Sequence, residues 1–132
     1  SLLQIVSDIE RISDYCENIS EYAENLANQK KKFSGVGAAE MKEMLKVCSD
    51  SFTYAVEAFE ENSAEKALKV IEKERSADDL EIRLRADHMQ RLANKQCDTE
   101  AGIVFLDALV GLERISDHSR NIAEEVLSAS NK

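Results

Sequence analysis

Apolar residues recur along most of the chain at alternating steps of three and four, the spacing of one face of an α-helix. In the first segment, up to about residue 32, they are Leu2, Ile5, Ile9, Ile12, Cys16, Ile19, Ala23 and Leu26. In the second they are Ala38, Met41, Leu45, Cys48, Phe52, Ala55 and Phe59. In the last they are Ala101, Phe105, Ala108, Leu112, Ile115, Ser119, Ile122 and Val126. Each segment is predicted to be an amphipathic helix, with Cys16 and Cys48 in the core.

A further segment, beginning at residue 64, starts with the same spacing and then loses it. Its apolar positions are Ala64, Ala67, Leu68, Ile71, Ile82, Met89 and Leu92. Between them, the spacing of three and four calls for apolar residues at positions that are occupied by Arg75, Asp78 and Arg85. Polar breaks at 34–37, 62–63 and 96–99 separate the segments. Ser63 is suited to cap the third helix, and either Asp98 or Thr99 the fourth. We therefore expect an all-α fold, a single domain over residues 1–132 built as an antiparallel up-and-down bundle of four long helices.

Composition supports the all-α expectation and argues against several classes of binding partner. The 132 residues include no proline and four glycines, too few turn-forming residues for a sandwich, a barrel or an α/β fold. The net charge of −9 and a single basic run, at 30–32, argue against nucleic acid and against an anionic membrane surface. No apolar run is long enough to span a membrane, and three unpaired cysteines predict a cytoplasmic protein. Because it begins at Ser1 inside the pattern, the chain is expected to be a piece of a longer protein.

An acidic motif occurs twice. Residues 9–19 and 112–122 share the pentapeptide Glu-Arg-Ile-Ser-Asp, 103 positions apart. In each copy two carboxylates lie one helical turn apart, away from the apolar stripe: Glu10 with Asp14, and Glu113 with Asp117. Like charges at this spacing repel, so the pairs do not stabilise the helix. Such a pair can bind a hard cation.

The third segment carries a matching pair, Glu74 and Asp78, with Glu81 a turn further. In an antiparallel hairpin this pair reaches a height similar to that of Glu113 and Asp117. Two interpretations stay open at this point. The carboxylates form a metal site, or they form a solvated stripe in which neighbouring arginines make exposed ion pairs.

Residues 112–124 closely resemble the signature helix of PhoU-like proteins, and residues 9–19 resemble its counterpart in the other repeat of that family. Residues 77–81, preceded by Glu74, are similar to the partner motif on the preceding helix. The resemblance implies two three-helix repeats with surface metal clusters, and a role in phosphate uptake and its regulation. This chain would then be the last helix of repeat one plus all three helices of repeat two.

The resemblance also assigns the metal ligands. It implies a complete site at Glu74, Asp78, Glu113 and Asp117, for divalent or ferric ions such as iron, manganese, zinc or magnesium. Glu10 and Asp14 would form an incomplete site, because their partner motif would lie on a helix outside the chain. The two metal sites would therefore differ in this chain.

Ser13 and Ser116 stand where stand-alone PhoU regulators usually carry glycine. In this respect the chain is more similar to the PhoU-like cytoplasmic tail of bacterial sodium/phosphate cotransporters. The resemblance then implies a regulatory domain at the cytoplasmic face of the inner membrane, without insertion into it. The expected partners are the membrane transporter domain of the same chain, through its Lys/Arg-rich loops, or other phosphate-transport proteins. A homodimer is left open.

No catalytic constellation is evident, and we expect no enzyme. Neither histidine completes a Glu-x-x-His di-iron motif, because Arg85 and Ile115 occupy the required positions. His118 directly follows Asp117 and could assist a metal there, but it is expected to be an exposed helix residue. The alternative to a PhoU-like regulatory domain is a metal-free helical module for protein interaction or oligomerisation, and a carboxylate-rich metal enzyme is a more remote one.

Overall fold

The computed structural model describes residues 1–130, and they form four long helices. The helices are α1 (Leu2–Asn28), α2 (Gly35–Glu61), α3 (Ala64–Ala93) and α4 (Thr99–Ser130). No strand occurs among these residues, so the predicted all-α fold is confirmed. None of the four helices combines the length and the apolarity needed to cross a membrane.

The predicted caps form at two of the breaks. The Ser63 hydroxyl accepts a hydrogen bond from the backbone N–H of Lys66, and the Asp98 carboxylate accepts one from that of Ala101 at 3.0 Å. Asn62, between α2 and α3, adopts the left-handed conformation (φ 51°) that ends many helices. These caps satisfy backbone groups that the helix ends leave free, which allows very short connections.

Successive helices run antiparallel, and α4 is the helix that holds the bundle together. It packs against all three other helices, and α2 also packs against α3. Within residues 1–130, α1 packs on α4 alone. The chain is therefore a three-helix unit, α2 to α4, with α1 laid along the outer side of α4. This is the same division that the family resemblance implies.

The apolar stripe of α4 is buried along its whole length, as predicted, because this helix has neighbours on three sides. The stripes of α1 and α2 are only partly buried. Ile9, Cys16, Leu45 and Phe59 were expected in the core but are exposed, whereas Cys48 is buried as predicted. The apolar arc of α1 is wider than the single neighbour α4 can cover, and α2 turns a different face towards α3 and α4.

The expectation that the buried stripe of α3 is interrupted is wrong. Its buried positions continue without a break at helical spacing: Ala67, Val70, Glu74, Ala77, Leu80, Glu81, Leu84 and His88. Polar residues occupy this buried line at every seventh position, at Glu74, Glu81 and His88. Conversely, Ile82 and Met89, which were expected on the stripe, are exposed.

His88 belongs to a buried polar network that joins three helices. Arg91 lies 2.5 Å from Glu40 of α2 and donates a hydrogen bond of 2.9 Å to Nδ1 of His88. Nε2 of His88 therefore carries the proton and donates to the carbonyl oxygen of Gly102, while the ring stacks on Phe105. Burial, and then the charge of Arg91, lower the pKa of His88, so the imidazole stays neutral.

Candidate metal site

The antiparallel pairing of α3 and α4 brings three carboxylates together. One oxygen each from Glu74, Asp78 and Asp117 lies within 4.8 Å of the other two. Glu74 is buried, and the two aspartates are half-buried. At metal–oxygen distances of about 2.1 to 2.3 Å, oxygens on opposite sides of an ion are about 4.2 to 4.6 Å apart and neighbouring oxygens about 3 Å apart. Small movements of the side chains would therefore bring all three oxygens onto one hard cation.

Glu113, the fourth predicted ligand, lies beside this trio and is not part of it. Burial raises its pKa to about 7, and the charge of Asp117, a hydrogen bond to Asp117 and the charges of Asp78 and Glu81 act in the same direction. At about pH 7, Glu113 is therefore protonated in roughly half of the molecules, and its protonated form donates a hydrogen bond to Asp117. A cation bound at Asp117 would release that proton and free a further carboxylate for the site.

Glu74 has the deepest position of the trio. Burial raises its pKa, and a hydrogen bond to Asp78 and the charge of Asp78 raise it further. Arg120 of α4 opposes this shift by donating a hydrogen bond of 3.3 Å to Glu74. An arginine therefore supplies part of the positive charge that these carboxylates need.

Glu81 extends the cluster along α3, and sequence reasoning did not include it among the ligands. It is buried, it contributes to the raised pKa of Glu113, and it forms an ion pair with Arg85 of its own helix. Its spacing of one turn from Asp78 was the available signal. From the sequence alone it stayed open whether these carboxylates bind a metal or form a solvated stripe.

The carboxylates of the cluster belong to α3 and α4, and Cys48 of α2 lies next to them. Burial raises the pKa of Cys48 to about 12, with further contributions from the charges of Glu113, Asp117 and Asp78. The side chain therefore stays a neutral thiol next to several carboxylates. It contributes an apolar wall, not a thiolate ligand.

The first motif copy is in different surroundings. Glu10 and Asp14 are exposed on α1, and no other metal-binding residue of the described chain joins them in a cluster. The equivalent serines differ as well, since Ser116 is fully buried and Ser13 is exposed. The structure thus brings together the second pair of carboxylates with those of α3 and leaves the first pair in solvent.

A second polar contact next to the cluster was not foreseen. Asp8 of α1 is buried and accepts hydrogen bonds from His118 at 2.8 Å and from Asn121 at 3.3 Å. The His118 ring stacks on Tyr15. The expectation that His118 is an exposed helix residue is therefore wrong, because α1 covers it.

Comparisons with known proteins show the family to which the chain belongs. The model of the PhoU domain family matches residues 41–126, which include all four carboxylates of the second site. The chain is also 30% identical, over 131 residues, to the phosphate-specific transport system accessory protein PhoU homolog 1 of Thermotoga maritima. That alignment covers 96% of this chain and 54% of the relative, so the chain spans about half the length of the curated relative it matches. No solved structure matches.

Proposed function

Since the chain belongs to the PhoU domain family, we propose that it is a regulatory or accessory domain of phosphate transport whose third and fourth helices bind a hard metal ion. The observation that carries the metal site is the convergence of Glu74, Asp78 and Asp117, from two helices, on one point. Three acidic groups repel one another when they are brought together, and a cation removes that repulsion. Bound metal would therefore clamp α3 to α4.

Oxygen donors suit magnesium, manganese and ferric iron better than soft metals such as Cu(I). The proton on Glu113 and the hydrogen bond from Arg120 both have to be displaced or rearranged for all the carboxylates to bind. Occupancy would then respond to pH and to metal concentration. A change in pH or in metal concentration would then make the packing of α3 against α4 more or less rigid.

The finer proposal concerns the protein to which this domain belongs. Ser13 and Ser116 make the chain similar to the cytoplasmic tail of sodium/phosphate cotransporters, and we place it at the cytoplasmic face of such a transporter. Basic loops of the membrane domain, or of another phosphate-transport protein, would be its partners. The longer reading frame tests this directly: a frame with no run of membrane spans upstream contradicts the cotransporter tail and leaves the family unchanged.

Manganese titration tests the metal site. We expect Mn²⁺ to bind by calorimetry and to raise the midpoint of thermal unfolding by several degrees. The variant Glu113→Ala/Asp117→Ala should lose both effects. Its matched control is Glu10→Ala/Asp14→Ala, which removes the same two residue types from the same motif on α1 and should keep both effects. Equal responses of the two variants, or none in the unaltered chain, would contradict the proposal.

The alternative function, a metal-free interaction module, is favoured by one feature of the same site. Arg120 pairs with Glu74, and Arg85 pairs with Glu81, so two of the buried carboxylates already have cationic partners. This alternative predicts that neither manganese nor iron changes the unfolding midpoint. The same titration therefore decides between the two functions.

A further inference from the structure

His88 of α3 is a buried histidine whose two ring nitrogens both have partners. Its Nε2 lies 3.1 Å from the carbonyl oxygen of Gly102, and its Nδ1 lies 2.9 Å from a guanidinium nitrogen of Arg91. A carbonyl oxygen can only accept a hydrogen bond, and a guanidinium can only donate one. Together, the two partners therefore require the neutral ring with its proton on Nε2 and a free lone pair on Nδ1.

The packing around the ring holds it in this orientation. The ring stacks on Phe105 with the two centroids 4.0 Å apart and the planes at 16°. Gly102 lets the ring approach the backbone of α4, because a Cβ atom there would lie 3.2 Å from Nε2 and 2.5 Å from Leu92. Phe33, in the connection between α1 and α2, packs edge-on against Phe105 at 5.4 Å. The contact of this connection with α4 therefore depends on the same stack of rings.

Two charged side chains face His88, one from its own helix and one from α2. Arg91 pairs with Glu40 of α2, and the two side chains are only 12% and 15% exposed. The Nε of Arg91 is buried and has no hydrogen-bond partner within residues 1–130. Glu40 and His88 are therefore the groups that hold the guanidinium in place. Through Arg91, the imidazole connects the start of α2 to the end of α3.

Other charged groups at this end of the bundle pair with one another. Asp98, which caps α4, and Glu100 both form ion pairs with Lys31 of the α1–α2 connection. Asp87, next to His88 in the chain, is exposed. From α4 the ring meets a backbone carbonyl and an aromatic ring, and neither is charged. The balance of charge at the imidazole is thus set by one arginine and one glutamate.

A second proton on the ring conflicts with this arrangement. It would have to occupy Nδ1, which could then no longer accept from Arg91, and it would place two cations 2.9 Å apart. Burial, and then the charge of Arg91, lower the pKa of His88, although the Gly102 carbonyl and the charge of Glu40 act in the opposite direction. An open form with the ring in water has the ordinary pKa of about 6.5. The ratio of open to closed molecules therefore rises as the pH falls below 6.5, by up to about tenfold per pH unit.

We propose that His88 is a pH switch that holds the start of α2 and the α1–α2 connection against α3 and α4 at neutral pH and releases them on acidification. When the ring is protonated, Arg91 loses one of its two partners, and its contact with Glu40 is no longer fixed. Phe105 loses the ring that stacks on it, which weakens the contact that holds Phe33. Histidine is the side chain whose ordinary pKa places such a change near physiological pH.

The switch is separate from the carboxylate cluster. His88 and Asp78 are ten residues apart on α3, which corresponds to about 15 Å along the helix. The effect of pH also has the opposite sign. Protonation of Glu113 stabilises the folded chain, whereas protonation of His88 destabilises the end of the bundle at which it lies. The proposal therefore holds with or without bound metal.

Amide hydrogen exchange of the unaltered chain, in buffer with a chelator at pH 7.5 and at pH 5.5, tests the switch. We expect the protection factors of residues 39–44 and 90–94 to fall by about threefold or more at pH 5.5. Those of residues 55–58 and 67–70, near the α2–α3 connection, should fall less. The cap of α4 keeps its charge in this range, because a hydrogen bond from the Ala101 backbone lowers the pKa of Asp98 below its usual 3.8.

Matched variants assign the effect to one histidine. The amide of His88→Gln can accept from Arg91 and donate to the Gly102 carbonyl but does not titrate, so its protection factors should show no local fall at pH 5.5. His118→Gln removes the other histidine and should keep the fall. Circular dichroism establishes that both variants fold. In the unaltered chain, nitrogen-15 shifts of the His88 ring should show the Nε2–H tautomer at pH 7.5 and a pKa below 6.5.

Four results would overturn the proposal. The first is protection that falls equally at both ends of the bundle, since His88 would then titrate only on complete unfolding. The second is the same local fall in His88→Gln as in the unaltered chain. The third is loss of the fall in His118→Gln. The fourth, which needs no variant, is a His88 ring that carries its proton on Nδ1 at pH 7.5 or that titrates at 6.5 or above.

Discussion

Arg120 of α4 donates a hydrogen bond of 3.3 Å to Glu74 of α3, the most deeply buried carboxylate of the cluster. The same guanidinium also binds Glu124, one turn along its own helix. Arg120 thus stands between an exposed ion pair and the candidate metal site. Its positive charge lowers the pKa of Glu74 and at the same time disfavours a second cation in its place.

Arg120→Gln is therefore expected to increase the affinity for Mn²⁺. Without the guanidinium, Glu74 has no competing cationic partner, and an incoming ion meets less repulsion. We expect a several-fold tighter dissociation constant by calorimetry at pH 8, which is above the pKa of about 7 of Glu113. Arg114→Gln, an exposed arginine of the same helix, is the control and should leave the affinity unchanged. An affinity unaltered by Arg120→Gln would show that the arginine does not compete with metal.

The carboxyl of Glu113 should make the metal-free chain less stable as the pH rises. Its pKa is about 7 in the folded chain, against 4.5 for an unperturbed glutamate. The folded state therefore binds more protons than the unfolded state between these values. Its contribution is fully present below about pH 4.5 and is lost as the pH rises through about 7.

Glu113→Gln is the variant that isolates this effect. A neutral amide cannot ionise, so at pH 8 the free energy of unfolding of the variant should exceed that of the unaltered chain by about 1 kcal/mol after allowance for solvent screening, and its unfolding midpoint should be higher. At pH 5 the difference should nearly vanish. Thermal unfolding followed by circular dichroism, in buffer with a chelator, measures both. A constant difference between the two pH values would contradict the raised pKa.

Two ion pairs between α2 and α3 should differ strongly in their contribution to the free energy of unfolding. Arg91 and Glu40 are 12% and 15% exposed, whereas Arg83 and Glu43 are 60% and 55% exposed. Arg91→Met leaves a nearly buried carboxylate and the Nδ1 of His88 without a partner, and we expect a loss of about 3 kcal/mol. Arg83→Met should cost less than about 1 kcal/mol. Chemical denaturation compares the two variants, and equal losses would show that the network around His88 adds no stability.

The cysteines should react with thiol reagents at very different rates. Cys16 is exposed, and Cys48 is buried with a pKa raised to about 12. In the native chain at pH 8, a colorimetric disulfide reagent should modify Cys16 quickly and leave Cys48 unmodified until the chain unfolds. Cys97 is also free and only partly buried, so Cys16→Ser/Cys97→Ser is the variant that should show no labelling while folded. Rapid labelling of Cys48 in that variant, identified by mass spectrometry, would contradict the burial described above.

Much of this molecule was predictable from local sequence. Apolar spacing and the absence of proline are enough to predict four helices, because helical periodicity is a property of each segment by itself. The capping role of Ser63 was predictable for the same reason, whereas the choice of Asp98 over Thr99 at the start of α4 came from the structure. The repeat of Glu-Arg-Ile-Ser-Asp also showed that one face of α4 carries two carboxylates one turn apart, which can bind a cation. The family resemblance then pointed to Glu74 and Asp78 as its partners.

What the sequence alone determined, then, is the set of helices and the pairs of carboxylates one turn apart on each. Only the tertiary structure decided which of these side chains meet and which are buried. Cys16 and Ile9 have the spacing of core residues but are exposed, because within residues 1–130 only α4 packs on α1. Glu74, Glu81 and His88 have the chemistry of surface residues but are buried, because Arg120, Arg85 and the Gly102 carbonyl provide partners for them. Burial depends on neighbours that are distant in the chain, and no local pattern contains them.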